Sequence, residues 1–376
     1  MSTLTREEIL RYGRHLVLPQ VAAEGQERLK AARVLCVGAG GLGAPVSLYL
    51  AAAGVGVLGL VDDDTVEVSN LQRQLLYATG DAGRVKTAAA AERLAGVNPH
   101  VTVETHPVRL AADNVMALLA DYDVIVDGSD NFPTRYLVND ACVLLGKPLV
   151  FGSVLRFAGQ LSVFDATRGP CYRCVFPEPP PPGAVPTCAE GGVLGALPGI
   201  IGSLQALEAI KLILGVGEAL VGRLLLFEGL GLDFREVAIG KDPACPACGA
   251  SPRIIRPGDG GQDAANEAHA VPRVSPEALQ RVLGGTQAPQ VLDVRRPEEL
   301  AIAAIDGVVA IPLAELAERV GELDAAADWV ITCHRGARAE RAWRLLQAAG
   351  FERIRVLDGG IDAWAERVAP DMPRYA

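Results

Sequence analysis

Between residues 33 and 62 the chain passes from an apolar run, RVLCVGAG, through the small-residue segment GLGAPVSLYLAAAG, into a second apolar run, VGVLGLVDDD. Short apolar runs of this kind suit strands buried on both faces, and the segment between them has helical length, so the stretch predicts a β-α-β unit. Parallel strands need crossover connections, and those connections cover both faces of the sheet with helices. The runs YDVIVDGSD (122–130) and KPLVFGSV (147–154) alternate in the same way with the helical segments VKTAAAAERLAGV and TRYLVNDACVLLG. The first part therefore reads as an open, doubly wound α/β domain.

At 376 residues the chain is too long for one ordinary domain. The polar stretch RPGDGGQDAANEAHAVPR (256–273) has no hydrophobic period and reads as a flexible linker. Beyond it VSPEALQRVL, APQVLDVR, WVITCHRG, ARAERAWRLLQAAG, IRVLDGG and IDAWAERV alternate again between helical and strand patterns. The expected division is 1–255, a linker over 256–272, and a smaller α/β domain over 273–376.

A formal net charge of −10 without a long basic run argues against a nucleic-acid partner bound through phosphate neutralisation. The N-terminal MSTLTREEILRYGRHLVLP lacks the apolar core and cleavage site of a secretion signal, which predicts a cytoplasmic protein. The apolar stretch 191–215 is interrupted by Pro198, Gln205, Glu208 and Lys211. It reads as a buried helix rather than a membrane span, which needs about 20 nearly uncharged residues.

Gly38, Gly40 and Gly43 form a G-x-G-x-x-G at the first strand-to-helix turn, where backbone N–H groups can approach a phosphate. Asp62 ends the next strand, placed to accept from a ribose hydroxyl. Those two features alone fit an NAD-linked oxidoreductase. The polar residues downstream, Asn70, Arg73, Lys86, Asp127 and Asp130, fit a triphosphate better. Arg73 and Lys86 can neutralise phosphates, Asp130 can hold Mg²⁺, and Asn70 and Arg73 would share a face if helical.

RYGRHLVLP, VGAGGLGAP, LVDDDTVEVSNLQRQ, GRVK and VDGSDNFPTRYLVNDAC together resemble the ubiquitin-activating-type enzymes that adenylate sulfur-carrier proteins, the molybdopterin-synthase and thiamine-carrier adenylyltransferase group. The resemblance covers residues 1 to about 250. It implies that a carrier's C-terminal Gly-Gly carboxylate attacks the α-phosphate of ATP. It further implies that Gly41 and Asp62 contact the nucleotide, that Ser69, Asn70, Leu71, Gln72, Arg73 and Lys86 hold phosphates, and that Asp130 and Asn131 complete a Mg-ATP site. Arg14 matches an arginine that the family supplies to the neighbouring subunit's ATP, which implies a homodimer.

Of the eight cysteines, Cys171 with Cys174 and Cys245 with Cys248 form two C-x-x-C pairs, the pattern of a closed four-thiolate zinc site. Disulfides are the competing reading, and the resembled family carries a structural zinc at these positions. Cys36 and Cys142 lie in apolar patterns and read as core. Cys188, in VPTCAEGG, matches a cysteine that some family members bond covalently to the carrier; a bystander thiol is the alternative.

Cys333 follows WVIT and precedes a helical segment, so it belongs at a strand's end, where loop N–H groups can stabilise a thiolate or persulfide. LDVRRPEE, CHRGARA and LDGGIDAW resemble the rhodanese family over about 273–376, with AIDGVVAIP departing from the family's histidine-containing stretch. The resemblance assigns Cys333 as nucleophile and His334, Arg335, Gly336, Ala337 and Arg338 as its persulfide loop. Rhodanese-related phosphatases carry one more residue in this loop. The five histidines show no ligand or triad spacing.

The combined expectation is a Rossmann-like adenylation domain with a structural zinc, followed by a rhodanese domain. The chain would adenylate a ubiquitin-like carrier with Mg-ATP, and Cys333, loaded by a cysteine desulfurase or another persulfide donor, would convert the adenylate to a thiocarboxylate. A silent rhodanese used for docking is the alternative.

Overall fold

The computed structural model describes residues 3–180, 192–259, 271–285 and 288–375. The chain folds as two units, Met1–Ala265 and Asn266–Ala376.

The first unit is built on β1 (Arg33–Val37), β2 (Val57–Val61), β3 (Thr102–His106), β4 (Val124–Asp127), β5 (Leu149–Leu155), β6 (Ala158–Phe164), β7 (Arg223–Glu228) and β8 (Asp233–Ala238). Their order in one sheet is β3-β2-β1-β4-β5-β6-β7-β8. The first five are parallel, as the sequence predicts. The last three are antiparallel, and this part departs from the all-parallel expectation. A tight reversal at Arg156, whose φ is +56°, folds β6 back on β5.

Side chains alternate across β1. Val34 and Cys36 join the core under the helices Gly43–Ala53 and Ala196–Leu214, while Leu35 and Val37 join the one under Val115–Ala120 and Phe132–Leu145. The chain runs outward from β1 through β2 to β3 and returns to β4 on the other flank. In such sheets the crevice for a ligand opens where the order reverses, at the strands' carboxyl ends. Here that place is bounded by the glycine loop after β1 and the DGSDN loop after β4.

The apolar stretch forms the helix Ala196–Leu214, among the described residues the one helix long and apolar enough to cross a bilayer. Its polar groups serve the fold. Gln205 Nε2 donates to the carbonyls of Asp127 (2.7 Å) and Val150 (3.2 Å), and Glu208 pairs with Lys211 while accepting from the Leu220 N–H. Burial pushes the Cys36 thiol up to about 12 and raises Cys142 as well, in keeping with two inert core residues.

The second unit has five parallel strands in the order β11-β10-β12-β13-β9. They are β9 (Arg273–Val274), β10 (Gln290–Asp293), β11 (Val309–Ala310), β12 (Trp329–Thr332) and β13 (Ile354–Leu357). Leu292 and Ile331 face one core, Val291 and Val330 the other, so this small sheet is also covered on both sides. Ser275 caps the helix Pro276–Leu283, its Oγ accepting from the Ala278 N–H at 3.2 Å.

Candidate functional site

A cleft of about 340 Å³ occupies the crevice at the strand-order reversal, and Gly38, Gly40, Gly41, Asp62, Arg73, Lys86, Asp130 and Asn131 all line it. The glycine loop admits no larger residue at its hinge. A Cβ on Gly43 would lie 1.9 Å from the Gly38 carbonyl oxygen, so the loop can pack into the first helical turn only without it.

Asp62 is fixed by the loop it faces: one oxygen accepts from the Ala39 N–H (2.8 Å) and the other from the Asp64 N–H (2.9 Å). Burial raises its pKa, opposed by Lys86 and by those two N–H groups. Lys86, the first residue of the helix Lys86–Val97, is 4% exposed; its Nζ lies 2.7 Å from Asp64 and 3.8 Å from Asp62. The buried ammonium is therefore already held at the cleft by carboxylates.

The segment after β2 is not a continuous helix. Val68–Asn70 form one 3₁₀ turn, so Asn70 and Arg73 do not share a helical face. Arg73 lines the cleft and its Nη1 donates to the Ser69 carbonyl at 3.2 Å. Ser69 Oγ donates to Glu67 and accepts from Asn70 Nδ2, while Leu71 packs against the core. Gln72 is exposed, and a Cβ on Gly195 would lie 2.1 Å from its carbonyl oxygen. None of Ser69, Asn70, Leu71 and Gln72 is among the lining residues.

Asp130 is exposed at the cleft, and Asn131 there caps the helix Phe132–Leu145, its Oδ1 accepting from the Thr134 N–H at 3.0 Å. Arg14 is exposed on the short helix Gly13–Leu16 and does not line its own chain's cleft.

Sequence reasoning missed Gln74, Arg109 and Arg135, which also line the cleft. Gln74 adjoins Arg73 and is buried with its Oε1 lacking a hydrogen-bond partner, a polar group ready for a ligand. Arg109 follows β3, whose half-exposed residues give little strand signal. With Arg73, Lys86, Arg109 and Arg135 facing Asp62, Asp63, Asp64 and Asp130, the cleft suits a polyanion accompanied by a cation.

The four C-x-x-C cysteines converge. Cys171 Sγ lies 3.5 Å from Cys245 Sγ and 3.9 Å from Cys174 Sγ, and Cys174 Sγ lies 3.4 Å from Cys248 Sγ. All four are free, which removes the disulfide reading. A tetrahedral zinc with Zn–S of about 2.3 Å needs sulfur separations of about 3.8 Å, so the donor set fits. The Cys171 thiol, donating to Cys245, holds the Cys245 thiol below its ordinary range despite burial, with help from the Cys248 and Ala247 N–H groups. Burial raises the Cys248 thiol. Cys188 lies outside the described residues.

Cys333 is buried directly after β12, and its Sγ accepts from the Gly336 N–H at 3.1 Å. Gly336, at φ +113°, turns the loop into the helix Ala337–Ala348. The loop is clamped from behind: the Ile361 and Asp362 N–H groups donate to the Cys333 and His334 carbonyls at 2.8 and 3.1 Å. A Cβ on Gly360, at φ +61°, would lie 2.5 Å from both of those oxygens.

Arg338 forks onto Glu299 with two contacts of 2.7 Å. Burial would raise Glu299, yet Arg338, the Arg296 N–H and Tyr375 hold it down at about 2. His334 Nε2 lies 2.7 Å from the Tyr375 carbonyl oxygen, its ring stacks on Tyr375, and burial lowers its pKa. Arg335 lies at the surface, 3.5 Å from Asp362. A buried thiol accepting a backbone N–H at a helix start is arranged to carry an anionic sulfur.

Fold and site together define a nucleotide-binding α/β domain joined to a cysteine-loop domain. The chain belongs to the ThiF family, which matches residues 12–247, and carries a rhodanese-like domain over 275–367. It is 46% identical over 386 residues to the probable adenylyltransferase/sulfurtransferase MoeZ of Mycobacterium tuberculosis, covering 100% of this chain and 97% of that protein. The adenylyltransferase and sulfurtransferase MOCS3 of Mus musculus is 42% identical over 408 residues, 100% of this chain and 89% of that one. The sulfur carrier protein adenylyltransferase of Thermus thermophilus is 58% identical over 253 residues, 66% of this chain and 93% of that protein. A crystal structure of E. coli MccB with ATP shares the fold at 24% identity and a TM-score of 0.54, covering 64% of this chain and 74% of that chain.

Proposed function

We propose that this chain is a sulfur-carrier adenylyltransferase and sulfurtransferase. It would use ATP to activate the C-terminal Gly-Gly of a ubiquitin-like carrier and pass sulfur to it from Cys333. The observation that carries the reading is the occurrence on one chain of a cleft suited to a triphosphate and a thiol seated on a backbone N–H, in the domain order of relatives named for both activities.

In the first step a carrier carboxylate oxygen attacks the α-phosphorus, an acyl adenylate forms, and pyrophosphate leaves. Asp62 takes the ribose hydroxyls, and the glycine loop with Gly38, Gly40 and Gly41 receives phosphates on its N–H groups. Arg73 and Lys86 neutralise the charge that gathers on the leaving pyrophosphate, while Ser69, Asn70, Leu71 and Gln72 shape the loop that presents Arg73. Asp130, with Asn131 beside it, would hold Mg²⁺, which supplies charge neutralisation between phosphates when bound. Arg14, exposed and away from its own cleft, serves a second copy's nucleotide in a homodimer.

In the second step the terminal sulfur of a Cys333 persulfide attacks the acyl carbon and AMP leaves, giving an acyl disulfide. A second thiol, Cys188 or an external one, then attacks the Cys333 sulfur; the carrier leaves as the thiocarboxylate and a disulfide remains. The persulfide loop, His334 to Arg338, orients and stabilises the sulfur anion. Cys171, Cys174, Cys245 and Cys248 would hold a zinc that is structural, since four thiolates leave no open position.

The persulfide donor is a cysteine desulfurase or similar enzyme, and the setting is cytoplasmic, without nucleic acid or membrane. The domain limits are 1–255 and 273–376 around the linker 256–272. The test is ATP–pyrophosphate exchange with and without a Gly-Gly carrier. Carrier-dependent exchange supports the reading, and exchange that ignores the carrier contradicts it.

A further inference from the structure

Tyr375 follows the helix Gly360–Arg367 and has no part in the sulfur chemistry described so far, yet it bears on both ends of the Cys333 loop. At one end is His334, directly after the nucleophile. Its ring stacks on the tyrosine ring, with centroids 4.4 Å apart and planes 10° from parallel, and its Nε2 lies 2.7 Å from the Tyr375 carbonyl oxygen. A carbonyl only accepts, so Nε2 carries the hydrogen and one tautomer is fixed. At the other end is Arg338, in the first turn of the helix Ala337–Ala348, and there the contact runs through Glu299. The Tyr375 hydroxyl donates to Glu299 Oε1 at 3.2 Å, the oxygen that also accepts from Arg338 Nη2.

The tyrosine is itself braced. Arg295 Nη1 donates to its hydroxyl at 2.7 Å, and Arg295 is fully buried and bonded through Nε and Nη2 to Asp293 at the end of β10. Beside it, Arg374 Nε donates to Asp362 at 2.9 Å, and the Asp362 N–H is one of the two that clamp the loop from behind. Burial pushes the Tyr375 hydroxyl up to about 12, so at neutral pH it keeps the proton it donates. Packing alone does not call for that hydroxyl. Met372 and Tyr375 lie against the core of Leu279, Ile361 and Trp364, but a phenylalanine ring would fill the same space.

We propose that Tyr375 is a positioning residue for sulfur transfer: it ties His334 and the Glu299–Arg338 pair to the buried Arg295, and so holds the Cys333 loop in the shape that aims the Gly336 N–H at the sulfur. This rests on the sulfurtransferase reading and adds a residue that reading does not use. Its physical content is preorganisation. A sulfur anion gains from the Gly336 N–H only at hydrogen-bond distance, 3.1 Å here, and a loop free to relax loses that gain both when sulfur is loaded and when it is passed on. The hydroxyl's own donor is spent on Glu299, so Tyr375 acts on the sulfur only through its neighbours.

The test uses the full chain with thiosulfate as sulfur donor and cyanide as acceptor. The Cys333 thiolate takes the outer sulfur of thiosulfate as sulfite leaves, and cyanide then removes that sulfur as thiocyanate and restores the thiolate. Tyr375→Phe keeps the ring and the carbonyl and removes only the hydroxyl. It should lower kcat by about three- to tenfold while KM for thiosulfate stays within about twofold and the second unit's melting midpoint within about 3 °C, a split that lost packing would not produce. Tyr375→Ala, which also loses the stack on His334, should be slower still; if it does not fold, Tyr375→Phe decides alone. Wild-type kcat in Tyr375→Phe, a loss confined to KM, or a loss matched by the fraction unfolded overturns the proposal. Thiocyanate formation by the wild type that Cys333→Ala abolishes leaves the sulfurtransferase reading intact in that case, whereas a wild type that forms none fails that reading and the proposal with it.

Discussion

Asp130 and Glu299 are both acidic residues near a candidate site, and their surroundings give them opposite mutational signatures. Asp130 is exposed and takes no part in either core. Asp130→Ala should leave stability within about 0.5 kcal/mol while lowering ATP–pyrophosphate exchange at least about 100-fold. Wild-type exchange in the variant would refute its assignment. Glu299 is paired in the folded state and held at about 2, below its ordinary 4.5. The pair thus contributes stability above about pH 4.5 and loses it as pH falls from there toward 2. All three tryptophans, Trp329, Trp343 and Trp364, lie buried in the second unit, so their emission reports its unfolding alone. Glu299→Gln should lower that unit's midpoint at pH 7, because Arg338 is left unpaired, and flatten its acid dependence between pH 4.5 and 2; an acid slope equal to wild type would show that another group carries it. At this scale the sequence reveals residues whose type and spacing announce chemistry, such as Cys333 after an apolar run or Lys86 after the glycine loop. It hides Arg135, which reaches the cleft only because the fold sets the start of the helix Phe132–Leu145 beside the loop after β4.

The parallel elements β1, β2, β4 and β5 were legible because strands buried on both faces read as unbroken apolar runs. β8 was not, since all its residues are exposed at the sheet's edge and show no such run. The antiparallel end of the sheet therefore escaped notice, although the cysteines around it did not. Cys171 caps the four-residue helix Tyr172–Val175 soon after β6 and Cys174 lies within it, while Cys245 and Cys248 follow β8, so the cluster ties the two ends of this addition together. Metal energy at such a closed site is folding energy. Cys245→Ser, or chelation, should lower the first unit's melting temperature, by roughly 6–12 °C for a loss of about 3 kcal/mol, while the tryptophan-reported transition of the second unit stays put. Equal melting of metal-free and metal-bound protein would contradict a structural zinc.

At the scale of the whole molecule, the two units close separate cores and carry separate chemistries. Among the described residues, those that line the cleft run no further than Pro198, and those that hold the Cys333 loop all lie after Asn266. Alternation of strands and helices separated by the polar stretch 256–273 made this division readable from the sequence. The order of events between the units was readable only from the pairing of chemistries, because an acyl adenylate needs a nucleophile and a persulfide is one. This division of labour is put to the sharpest test by Cys333→Ala, supplied with a Gly-Gly carrier, Mg-ATP and a limiting protein persulfide, free sulfide being excluded. Mass spectrometry of the carrier reads the gain of about 16 Da from exchanging oxygen for sulfur, and exchange is followed in parallel. ATP–pyrophosphate exchange near wild type with no thiocarboxylate is the expected result, and a normal thiocarboxylate yield from the variant would contradict it.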